Sequence, residues 1–73
     1  MSDVGSARRA KDELKQRIGA EPWCVGIGVE REDGVGFIVR ITVRAGALDA
    51  FRAAAVPEHI GPTLVKVVEG DAQ

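Results

Sequence analysis

Apolar residues recur at steps of three and four through SARRAKDELKQRIGAEP. Ala7, Ala10, Leu14 and Ile18 fall on one stripe of a helix, with Arg8, Lys15 and Arg17 around it. Ser6 is placed to cap this helix, or Asp3 if it starts earlier, and Gly19 and Pro22 stop it. From Trp23 the period drops to two. Trp23, Val25, Ile27 and Val29 alternate with Cys24, Gly26, Gly28 and Glu30, the pattern of a strand with one buried face. Asp33-Gly34 marks a hairpin turn, and a second strand follows at once. In it Phe37, Val39, Ile41 and Val43 form the buried set, while Ile38, Arg40, Thr42 and Arg44 point the other way.

The stretch ALDAFRAAAV, residues 47–56, is built of good helix formers and brings Leu48, Phe51 and Ala54 or Ala55 to one side. Pro57 ends it, because the residue before a proline is pushed out of the helical region. PEHIGP reads as a loop. TLVKVVE is a third strand in which Val65 and Val67 alternate with Leu64, Lys66 and Val68. The order α-β-β-α-β predicts an α+β two-layer sandwich: two helices on one face of a three-stranded antiparallel sheet. Placing the third strand beside the first gives the order 2-1-3 and makes the glycine-bearing strand central, with a place beside the second strand left open.

The two glycines of VGIGV also fit the start of a dinucleotide-binding loop, but that loop needs a third glycine three positions on and a helix opening there. Position 31 is Arg and the chain runs into a turn, so the glycines belong to a strand.

The chain of 73 residues has room for one small domain, expected to fray over residues 1–5 and 70–73. Apolar residues make up 45% and charged residues 29%, a balance that separates it from disordered chains. Ten basic against eleven acidic residues leave a net charge of −1, so no global field draws it to nucleic acid or an anionic membrane. One cysteine excludes an internal disulfide framework and, with one histidine, a structural zinc site; a reducing, cytoplasmic location is expected. No apolar run is long enough to span a membrane, and the N-terminal residues lack the apolar core of a secretory signal.

The charged first helix, the V-G-I-G-V strand, the D-G hairpin, FIVRITV and VPEHIGPTLVKVVEG together resemble a group of small uncharacterised bacterial domains. Those domains read V-x-G-V-G-I-G, a hairpin, I-x-V-x-V and L-P-x-x-I-x-G-V-P-V, and similar segments occur near trypsin-like peptidases. The resemblance spans about residues 20 to 70, and it implies a fold and a bacterial origin without implying any functional residue. It departs from the group at Gly61-Pro62-Thr63-Leu64-Val65, where the proline is shifted.

Candidate chemistry is sparse. Cys24 and His59 are the one nucleophile and imidazole that could form a dyad, but Cys24 is expected on the sheet face opposite the apolar set and His59 in a loop. Glu30, Glu32 and Asp33 lack the spacing of a cation loop and read as a solvated hairpin tip. No catalytic, metal or cofactor residue is therefore expected, and no enzyme activity. What remains is the sheet face away from the helices. Ile38, Arg40, Thr42 and Arg44 of the second strand meet Leu64, Lys66 and Val68 of the third there, above a floor of Cys24, Gly26 and Gly28.

A partly apolar face on a domain this small predicts a non-catalytic interaction module, self-associating through that face or an edge strand or binding another protein. The alternative is single-stranded nucleic acid held by Arg40, Arg44 and Lys66. It is disfavoured because no aromatic residue is expected on that face for bases to stack on.

Overall fold

The computed structural model describes residues 3–70. Helix α1 spans Val4–Ile18, strand β1 Cys24–Glu32, strand β2 Gly36–Val43 and helix α2 Leu48–Ala53. A two-residue strand β3, His59–Ile60, precedes strand β4, Thr63–Glu69. Asp3 is the N-cap of α1, and its carboxylate accepts a hydrogen bond from Ser6 N at 2.7 Å. The helix therefore begins at Val4, within the segment where fraying is expected. The expected fraying of residues 1–2 and 71–73 lies outside the described residues.

The architecture is α+β, with two helices and a mixed sheet, but the sheet differs from expectation. Its order is β1-β2-β4-β3, with β1 and β2 antiparallel, β2 and β4 parallel, and β3 and β4 antiparallel. The third long strand therefore lies beside the second. The glycine-bearing strand β1 forms an edge, and β2 is central. FIVRITV carries Phe37, Val39, Ile41 and Val43 on one side of its pleat and the mixed set Ile38, Arg40 and Thr42 on the other, and it is paired along both of its edges. β1 ends in Glu-Arg-Glu, charges that suit an edge. PEHIGP is more than a loop: Gly61, at φ +57, and Pro62 turn the chain so that β3 pairs with the start of β4.

The core sits between α1 and the sheet. Ala10, Leu14 and Ile18 are buried against Val39, Ile41, Val43 and Val65, and Ala7 is buried on the same helix stripe. The two alanines let the helix backbone approach the strands closely, and each large side chain here contributes about 1.5–3 kcal/mol of burial. α2 is shorter than the ten-residue segment expected, because Ala55 turns left-handed at φ 54 and ends it. Leu48, Phe51 and Ala54 still pack against the same core, and Phe51 meets Trp23 edge to face with ring centroids 6.1 Å apart.

Candidate interface

On the side of the sheet away from α1, register sets Glu30 beside Ile38, Gly28 beside Arg40 and Gly26 beside Thr42. Arg40 is in turn level with Lys66, and Thr42 with Val68. Register thus places Ile38, Arg40, Thr42, Lys66 and Val68 on one side of the sheet, and one of them takes a different role. Ile38 is only 2% exposed although no helix covers it. Two ion pairs account for this. The Arg40 guanidinium reaches back to Glu30, Nε to Oε2 at 2.5 Å, and Lys66 crosses two strands to Glu32, its Nζ 2.7 Å from Oε1 and 2.6 Å from Oε2. Lys66 is level with Arg40 and Glu32 with Gly36, so the lysine stem runs diagonally over Ile38, which stands between them on β2. Glu30 and Glu32, read from sequence as a solvated tip, are engaged with these cations.

The rest of the face is mixed. Thr42 and Leu64 are half-buried, Arg44 is exposed and Val68 is 39% exposed. Glu69 turns away to accept a hydrogen bond from Gly46 N at 2.7 Å, tying the end of β4 to the loop after β2. Adding a Cβ at Gly26 or Gly28 would meet no atom within 4 Å, so these positions form an open floor. Trp23 and Phe51 both pack against the core instead.

Cys24 is not on this face. Pairing runs Cys24↔Val43 and then Gly26↔Thr42, so Val25 is an extra residue that reverses the alternation at the start of β1. Cys24 joins Trp23 and Ile27 against the core, and Val25 does not take the place among them that the period of two gave it. Burial pushes the Cys24 thiol above its ordinary pKa, partly offset by a hydrogen bond from the Gly26 backbone. His59 is exposed on β3, at the opposite edge of the sheet, three strand spacings or on the order of 14 Å away. The two do not form a dyad. Among the described residues no group of three His, Cys, Asp or Glu could hold a metal ion, and no helix is long and apolar enough to cross a membrane.

The outer edge of β1 is a feature the sequence reading did not single out. Val43 gives its carbonyl to Gly70 N on the β4 side at 2.9 Å. Odd residues of β2 therefore turn their peptide groups towards β4, and even residues turn theirs towards β1. Their partners Gly26, Gly28 and Glu30 bond to β2, which leaves Ile27, Val29 and Arg31 with N–H and C=O groups directed outward. No described strand pairs with that edge. The sequence signal for it was present in the contrast between FIVRITV and GIGVERE.

Comparison with known protein families, with curated proteins and with solved structures finds no match to the chain.

Proposed function

We propose that the chain is a non-catalytic interaction module that self-associates through the outer edge of β1. The carrying observation is the run of outward peptide groups at Ile27, Val29 and Arg31 on a nine-residue strand without a described neighbour. Such an edge templates another strand unless it is blunted. β1 has a bulge at one end and charges at the other, but neither lies at Gly26–Val29. The open face is the weaker contact, because ion pairs cover its largest apolar residue, Ile38. Nucleic-acid binding gains no support there, since Arg40 and Lys66 are each held by a carboxylate. One free cysteine favours a reducing compartment, the cytoplasm, as the module's location.

Light scattering coupled to size exclusion, over a roughly hundredfold concentration range, tests the reading by the law of mass action. A mass that rises towards twice the 7.7 kDa of one chain supports it, and one chain's mass at every concentration overturns it.

A further inference from the structure

Granting self-association through β1, the strand itself selects how the copies meet. We propose that two chains join β1 to β1, antiparallel, about a twofold axis through Gly28, forming one continuous sheet with all four helices on the same side. A twofold contact pairs residue i with j and j with i. With the helices on one side, facing residues must both be even or both be odd, because side chains alternate between faces. The outward peptide groups belong to Ile27, Val29 and Arg31, so odd residues make the new hydrogen bonds.

Few registers remain, and side chains separate them. Centring on Glu30 sets the two Glu30 carboxylates opposite each other. Centring on Val29 sets Ile27 against Arg31, and centring on Ile27 sets Val29 against the bulged Val25. Centring on Gly28 pairs Ile27 with Val29 of the second copy twice over, both apolar and both in hydrogen-bonding positions. It also sets Gly28 against Gly28, and Glu30 against Gly26. On the open side Arg40 and Glu30 of one copy then alternate with Glu30 and Arg40 of the other around a floor of four glycines, so opposite charges are neighbours.

The helix side is different. Lys11 and Lys15 line the groove beside Val25, and this register brings Arg31 of the second copy opposite Val25. Three cations per seam end repel, and salt screens them. Raising the salt from about 0.05 M to about 0.5 M shortens the screening length from roughly 14 Å to roughly 4 Å, which weakens this repulsion and the open-side attraction alike.

The register is tested by cross-linking in a Cys24→Ser background. In a non-hydrogen-bonded antiparallel pair the Cα atoms lie about 4.5 Å apart, within disulfide range. Position 28 accepts a side chain without collision, as does position 26. Under mild oxidation, C24S/G28C is expected to form a covalent dimer at least roughly tenfold faster than C24S/G26C, whose new thiols sit opposite Glu30, owing to the effective concentration of paired groups. Light scattering on the reduced variants separates the outcomes. Dimers that cross-link no faster through position 28 than through position 26 overturn this register while leaving self-association standing. Monomers throughout overturn both. The unsubstituted chain supplies a check that depends on no variant's folding: a dimer in light scattering supports the pairing, and one chain's mass at every concentration overturns it.

Discussion

Ile38→Ala is expected to behave as a core truncation although Ile38 lies on the sheet face without helices. The side chain is 2% exposed beneath the Arg40–Glu30 and Lys66–Glu32 pairs. The substitution removes three carbon groups at about 0.8 kcal/mol each, and the space left behind brings the loss to about 2–4 kcal/mol. A chain of 73 residues has roughly 4–11 kcal/mol of stability in all, so the loss is a large part of it. Urea unfolding followed by far-UV circular dichroism measures it. With a slope of about 1 kcal/mol per molar for so small a domain, the midpoint falls by about 2–4 M. Lys66→Ala alone removes an exposed pair, contributing up to about 1 kcal/mol, and uncovers part of Ile38. The two substitutions should therefore couple by about 0.5–1 kcal/mol in a double-mutant cycle. A loss below about 1 kcal/mol for Ile38→Ala is what a solvated site gives, and it would refute the covered-face account.

Ala55→Gly is expected to raise stability by about 1 kcal/mol in the same assay, since Ala55 is held at φ 54, where a Cβ is penalised. Phe51→Ala removes the edge-to-face contact with Trp23 along with its own half-buried ring; unfolding should show a loss of about 2 kcal/mol and Trp23 emission should move to the red. The Ser6 backbone N–H holds the Asp3 carboxyl below its ordinary value of 3.8. A depressed carboxyl pKa contributes stability above the unfolded value, and that contribution is lost as pH falls through the folded value. Asp3→Asn keeps a capping oxygen that does not titrate, so stability measured from neutral pH down through the acid range should fall less steeply below pH 3.8 in the variant than in the unsubstituted chain.

Much of the local structure was legible because the two periods do not compete here. The stripe of Ala7, Ala10, Leu14 and Ile18 and the alternation of Val39, Ile41 and Val43 both bury the residues their spacing selects. Strand order was harder to read, because periodicity describes one strand's faces and not its neighbours. The clue was the run of charges, Glu30-Arg31-Glu32, that ends β1. The bulge at Val25 left no mark in the sequence, and it moved Cys24 to the core side. The hairpin shows a similar limit. Asp33-Gly34 marks the turn, but Gly34 takes φ +80 while no positive φ occurs at Asp33, so only the glycine uses the freedom both residues offer. The covering of Ile38 depends on a lysine reaching across two strands, which no spacing within one strand reveals.

Backbone amide hydrogen exchange at Ile27, Val29 and Arg31, compared between dilute and concentrated protein, tests the edge most directly, because these N–H groups point away from β2. Pairing through β1 requires their exchange to slow by an order of magnitude or more at the higher concentration, while the amides of Gly26 and Gly28, already bonded to β2, slow far less. Exchange at those three amides that stays fast and independent of concentration would contradict pairing through this edge.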